Sequence, residues 1–132
     1  AQMLKIYYGG KSYHIVNYYN PCKQINTNTL NLLINDIKDK SNIKVLGDFN
    51  SHNTMWGSPN TNSNGKALEE FITENDLVLL NDGSGTRLDP HSGKISHLDI
   101  TLASPQLGNK CNWQVLSEKL GSDHFQITTE YD

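Results

Sequence analysis

Apolar and β-branched residues gather in short runs between polar, glycine-marked breaks, and the periods of those runs predict most of the elements. Residues 4–8 and 12–19 read as strands, and Gly9-Gly10 between them reads as a tight hairpin turn. Pro21 ends the second strand, because proline has no N–H to give to a ladder. Thr27 or Asn28 suits a helix N-cap. Leu30, Leu33, Ile34 and Ile37 then fall on one helical face, and Lys38 and Lys40 suit its C-terminal end. Residues 43–46 are a buried strand, whereas residues 51–64 have no period and read as a polar loop. Residues 66–75 make a second amphipathic helix through Leu68, Phe71 and Ile72. Residues 77–80, 98–103, 113–116 and 124–129 complete the strands, with a turn over 81–85. There is no internal repeat and no linker, and the Asn/Ser/Thr-rich stretch 58–64 is the one biased segment. Strands that alternate with only two helices, with hairpins outnumbering crossovers, predict an α/β (α+β) fold: mixed or mostly antiparallel sheets with helices on the outer faces.

A chain of 132 residues suits a single domain, residues 1–132, long enough to bury a real core. Its 36% hydrophobic and 19% charged content, with frequent asparagine, predicts a polar, loop-rich surface rather than disorder. No apolar run approaches the roughly eighteen residues a membrane helix needs. The N-terminus lacks the charged and apolar regions of a signal peptide. Together these predict a soluble, intracellular protein with no membrane partner. Cys22 and Cys111 stand alone without metal-ligand spacing, so two half-buried thiols are expected rather than a disulfide. Net charge is −3, which argues against tight non-specific binding to nucleic acid. A nuclease remains compatible, since catalytic carboxylates add negative charge that a bound cation offsets.

The chemistry concentrates at the ends of apolar runs. Asp48 and Asn50 follow the strand 43–46 directly, placing a carboxylate and a neutral amide at one sheet edge; a strand-end Asp that merely closes a turn is the plainer reading. Asp99 lies inside an apolar strand between Leu98 and Ile100. A buried carboxylate needs a partner, either a structural ion pair or a histidine whose tautomer it fixes. His124, within Ser122-Asp123-His124, is the candidate. Three carboxylates, an amide and an imidazole are enough for metal-assisted hydrolysis of a phosphodiester. His52 lies beside the Asp48–Asn50 turn, within reach of a phosphate. His91 and His97 read as surface residues and His14 as a half-exposed strand position. Trp56 either stacks on a base or sugar or pins its loop to the core, and pinning is the commoner use.

Taken in order, these segments resemble the endonuclease/exonuclease/phosphatase family. Within it they are most similar to the apurinic-type endonuclease domain of non-LTR (LINE-type) retrotransposons. The resemblance rests on Val16-Asn17-Tyr18-Tyr19-Asn20-Pro21, on Gly47-Asp48-Phe49-Asn50-Ser51-His52-Asn53 leading to Trp56-Gly57, and on Asn64-Gly65. It continues through Leu79-Leu80-Asn81, Thr86-Arg87, residues 96–104, Trp113-Gln114-Val115 and Ser122-Asp123-His124. It implies a DNase I-like layered β-sandwich flanked by helices, and Mg2+, with Mn2+ as its substitute, as cofactor. By position, Asp48 is similar to the carboxylate that handles the attacking water or leaving oxygen, and Asn50 to the amide that contacts the phosphate. Asp99 resembles the acid that holds the catalytic His124, and Asp123 the neighbouring acid near the metal. Tyr19, or Tyr18 in a competing alignment, sits where a phosphate-contacting tyrosine belongs, and Asn64, with Asn62 as the alternative register, is a further polar contact. The implied partner is DNA, in the nucleus.

The departure is an absence. The early Asn and the Glu that is the family's chief metal ligand have no counterpart here: Glu69, Glu70 and Glu74 lie on or at the end of the second helix, and Glu118 and Glu130 are late. The chain therefore reads as the C-terminal part of the domain with its N-terminal strands missing. Impaired cleavage and self-association through uncovered sheet edges are expected. Two other readings stay open: a non-catalytic remnant acting as an interaction module, and a phosphatase of phosphoinositides. Plasmid nicking against phosphate release from inositol lipids separates the last from a nuclease.

Overall fold

The computed structural model describes residues 1–131. In chain order the elements are β1 (Gln2–Tyr8), β2 (Lys11–Tyr19), α1 (Thr27–Asn31), β3 (Ile43–Asp48), a 3-10 turn (Thr54–Trp56) and α2 (Ser63–Glu74). There follow β4 (Val78–Leu79), β5 (Arg87–Leu88), β6 (Ile95–Ser96), β7 (Asp99–Ala103), α3 (Pro105–Gly108), β8 (Cys111–Val115) and β9 (Ile127–Tyr131). Five strands form one sheet in the order β1-β2-β3-β7-β4, while β5–β6 and β8–β9 are separate two-stranded ribbons. Gly9 and Gly10 both take positive φ, as a two-residue turn that matches strand twist requires. β2 and β3 run parallel, joined through α1; the other pairs are antiparallel.

Register decides which face is buried. Val16 lies opposite Val45, Val45 opposite Leu102, and Gly47 opposite Ile100, so these residues share one face. Leu30, Ile34 and Ile37 with Leu68, Phe71 and Ile72 cover that face and complete the core. On the other face lies the β8–β9 ribbon, whose Trp113 Nε1 donates to Thr101 Oγ1 at 3.1 Å and whose Tyr131 meets Tyr13 edge-on. The result is a layered α/β architecture. β1, at the open edge, is exposed along its whole length. Among the described residues no helix is long and apolar enough to cross a membrane.

Several elements differ from their sequence expectation, each for a local reason. The first helix is capped by Asn26, whose Oδ1 accepts the Thr29 N–H, and not by Thr27 or Asn28. It stops at Asn31: the following Asn35 and Asp36 are weak helix formers, and residues 32–36 continue as turns that still bury Ile34 and Ile37. Lys40 bonds the Ile37 carbonyl from beyond those turns. The 51–64 loop contains the 3-10 turn, and α2 starts early because Asn62 Oδ1 caps Gly65 N–H at 2.8 Å. The strand over 77–80 shrinks to two residues, since the Asn81 side chain takes over the ladder with Thr101 N–H and the Asp99 carbonyl. His124 lies outside the last strand and makes a single bridge to Arg87. Cys22 is exposed and Cys111 half-buried, both free thiols.

Trp56 is fully buried and its Nε1 donates to the Ser51 carbonyl at 3.1 Å, so it anchors the loop that follows the candidate site. Trp56→Ala is expected to cost about 3–5 kcal/mol of stability, read from a urea melt; a loss below about 1 kcal/mol would contradict that anchoring role.

Candidate active site

Strand pairing brings the chemistry together. The β3–β7 register sets Asp48 opposite Asp99, and the β2–β3 register sets Tyr19 opposite Asp48. Gly47 permits this close approach: at φ 147 a Cβ there would sit 1.7 Å from the Tyr18 carbonyl oxygen. Beyond the strand, Asp48 Oδ1 accepts the Asn50 N–H at 3.0 Å, and Asn50 turns the chain at φ 46. The Asn50 side-chain amide donates to the Asn20 carbonyl. Asn20 is almost fully buried and ties the ends of β2 and β3 together. Its N–H goes to the Asp48 carbonyl, its Nδ2 to the carbonyls of Phe49 and Lys23, and its Oδ1 accepts the Lys23 N–H.

His124 arrives on the segment between β8 and β9, held by the bridge to Arg87 and by its neighbour Phe125, whose N–H donates to the Thr86 carbonyl. Its Nδ1 lies 2.8 Å from Asp99 Oδ2 and its Nε2 lies 3.7 Å from Asp48 Oδ2. Asp99 is in turn fixed by Thr86, whose buried Oγ1 accepts its N–H, and by Asn81 on its carbonyl. The imidazole thus stands between two carboxylates, each with only 17% of its side chain exposed. Burial pushes the Asp48 carboxyl above its ordinary range, and the Asp99 charge adds to this; the Asn50 N–H, His124 and Arg87 oppose it. Asp48, Asp99 and His124 offer ligand atoms all within 4.8 Å of one another, the one such group of His, Cys, Asp and Glu among the described residues. Two partly desolvated carboxylates short of positive charge are a donor set that suits a hard divalent cation.

The other expected residues fall in different places. Tyr19 is 66% exposed beside Asp48, whereas Tyr18 turns to the core face against Phe49, where burial pushes its hydroxyl pKa up. The competing tyrosine therefore packs, half-buried, against the core. His52 donates its N–H to Asn62 Oδ1 and accepts the Asn62 N–H on its carbonyl, and it lines a groove of about 380 Å3 with Ser58, Lys94, Ser96 and His97. Asn64 uses both ends of its amide on the loop after β2, accepting the Ile25 N–H and donating to the Lys23 carbonyl. Asp123 stands outside the group of three, with Oδ2 bound to Arg87 and Oδ1 4.0 Å from His124 Nε2. His97, expected on the surface, is half-buried with its ring against Gly57, while His91 is exposed and His14 half-buried. Arg87, Thr86, Asn81 and Asn20 were not singled out for roles by sequence reasoning. Asn20-Pro21 and Thr86-Arg87 carry a turn signal and a matched motif, but neither announces a hydrogen-bonding duty toward residues so distant in the chain.

With that geometry in place, likeness to known proteins becomes informative. A family profile described as Endonuclease-reverse transcriptase matches residues 13–128. The chain is 30% identical over 90 residues to a probable RNA-directed DNA polymerase from transposon X-element of Drosophila melanogaster, covering 67% of this chain and 10% of that protein. In three dimensions it is similar to the endonuclease domain of TRAS1, a telomere-specific non-LTR retrotransposon (TM-score 0.82, 20% identity, 98% of this chain and 62% of that one). It is also similar to an endonuclease/exonuclease/phosphatase family protein from Leptotrichia buccalis C-1013-b (TM-score 0.62, 20% identity, 98% and 53%). The fold is thus DNase I-like, and the chain spans only part of each of these relatives.

The electrostatics yield a stability test. A carboxyl whose pKa is raised by folding disfavours the folded state once it ionises: the penalty is absent below the ordinary value of 3.8 and grows as pH rises through the raised folded value. Asp48→Asn is therefore expected to raise the urea midpoint at pH 7, with the gain vanishing below about pH 4. A loss of stability at pH 7 would mean that the carboxylate is held by favourable contacts instead.

Proposed function

The chain belongs to the endonuclease–reverse transcriptase family, and from that premise we propose that it is a divalent-metal-dependent endonuclease domain of a non-LTR retrotransposon that nicks DNA. The observation that carries this reading is the Asp99–His124–Asp48 arrangement, 2.8 Å on one side of the imidazole and 3.7 Å on the other. Asp99 fixes the ring with Nδ1–H toward itself, and His124 acts as a donor from Nε2 to a phosphoryl oxygen. Asp48, made more basic by burial, takes a proton from the attacking water. The water oxygen bonds to phosphorus in line, the bond to the 3′ oxygen breaks, and solvent protonates that oxygen to leave a 3′-hydroxyl. Asn50 orients the phosphate and the nucleophile; Tyr19 and His52 contact the phosphate backbone. Asn64 supports that contact surface through the loop it holds.

Asp123 would hold the cation, Mg2+ or its substitute Mn2+, at the margin of the Asp48–Asp99–His124 group. When bound, such a cation supplies Lewis-acid stabilisation of charge at phosphorus. No glutamate joins the group of three among the described residues, so metal binding is weak and cleavage slow. The product, a 3′-hydroxyl, suits priming of reverse transcription on chromosomal DNA, which places the work in the nucleus. Because β1 leaves a seven-residue strand edge unpaired, the chain also self-associates through it.

Two tests follow. Supercoiled plasmid is expected to be nicked with Mg2+ and not without it. Asp48→Ala or His124→Ala is expected to lower the rate by about 10²–10⁴-fold. Nicking that survives in either variant at the wild-type rate contradicts the assignment. In light scattering, the apparent mass is expected to rise with concentration; a monomer across the whole range would remove the edge-pairing claim.

A further inference from the structure

Asn20 takes hold of three successive residues at the end of β3. Its N–H donates to the Asp48 carbonyl at 2.8 Å, its Nδ2 donates to the Phe49 carbonyl at 3.1 Å, and its own carbonyl accepts the side-chain amide of Asn50. That carbonyl is itself held in place. It accepts the Cys22 N–H at 2.9 Å across Pro21, whose ring locks φ. The Asn20 side chain also exchanges two bonds with the Lys23 main chain, at 2.8 and 3.0 Å. Asn20 is 1% exposed, so water does not compete for these bonds. The bonds to Asp48 and Phe49 suffice to join the ends of β2 and β3. The third goes to a half-buried side chain, on a residue that turns the chain at φ 46, and adds nothing to the ladder.

We propose that Asn20 is a positioning residue that fixes which end of the Asn50 amide meets the substrate. The inference rests on the endonuclease reading of this site and deepens it. An amide has two N–H donors and one acceptor oxygen, and a main-chain carbonyl can only accept. The Asn20 carbonyl therefore selects the nitrogen end of Asn50. One N–H and Oδ1 of that amide remain without a partner among the described residues. Oδ1 then accepts a hydrogen bond from the attacking water, beside the Asp48 carboxylate that takes its proton, and the remaining N–H donates to a phosphoryl oxygen. An amide set before the substrate arrives does not have to be ordered during the reaction. Released from Asn20, the same amide can turn over and present its nitrogen to the water.

The test uses the 132-residue chain labelled with nitrogen-15 at asparagine, as wild type and as Asn20→Ala, with circular dichroism to verify folding. Asn20→Ala keeps the carbonyl and removes the side chain that holds it; Asn50→Ala assigns the Asn50 signal by its loss. In the wild type, one Asn50 Nδ2 proton is expected downfield and slow to exchange, and the other free. Asn20→Ala is expected to remove that asymmetry. It is also expected to lower kcat for Mg2+-dependent nicking of supercoiled plasmid by about 10–100-fold, with KM within about twofold of wild type. Two Asn50 protons that exchange alike in the wild type overturn this inference alone, whether or not Asn20→Ala folds. Loss of the asymmetry with kcat unchanged also overturns it, since the bond is then only structural. No nicking by the wild type with Mg2+ overturns the endonuclease reading, and this inference with it.

Discussion

Asp48 and Asp99 stand directly opposite each other where β3 meets β7, and like charges so placed weaken a strand pair by up to about 1 kcal/mol. The surrounding structure is arranged around that repulsion. His124 enters between the two carboxylates, Arg87 adds positive charge from β5, and the Asn50 N–H bonds Asp48. None of these neutralises the pair completely, since burial still raises the Asp48 pKa. A site that is more acidic than its own residues can balance is one in which an added cation has something to do.

The strand ends that carry these groups are fixed largely by neutral amides. Asn20 locks β2 to β3, Asn81 brackets Asp99 and Thr101, Asn62 and Asn53 cap α2 and the 3-10 turn, and Asn64 ties the loop after β2 to α2. An amide donates and accepts without charge, so it can hold main chain near a carboxylate without altering the site's charge. These five asparagines thus have structural duties, where composition alone suggested only a polar surface.

The apolar runs made the sheet legible: β1, β2, β3 and β7 lie close to where their patterns put them, and Leu68, Phe71 and Ile72 fill the core as the helical spacing requires. Asp48 and Asp99 were legible because each interrupts or ends such a run. The short α1 was not, since Leu33, Ile34 and Ile37 keep helical spacing while turns deliver two of them to the core equally well. The occupation of Asn64 by Lys23 and Ile25, and the grip of Arg87 on Asp123 thirty-six positions away, depend on contacts that no local pattern encodes. Which of Tyr18 and Tyr19 stands on the Asp48 face needed the strand register, because adjacent residues point to opposite faces.

The proposed chemistry depends on the hydrogen bond between His124 and Asp99, and nitrogen-15 NMR of the imidazole reads it directly. The prediction is a proton on Nδ1, hydrogen-bonded and slow to exchange, that loses this signature in Asp99→Asn while the fold persists. An His124 ring that is protonated only on Nε2 at neutral pH, with a spectrum unchanged by Asp99→Asn, would contradict the arrangement on which the proposed chemistry depends.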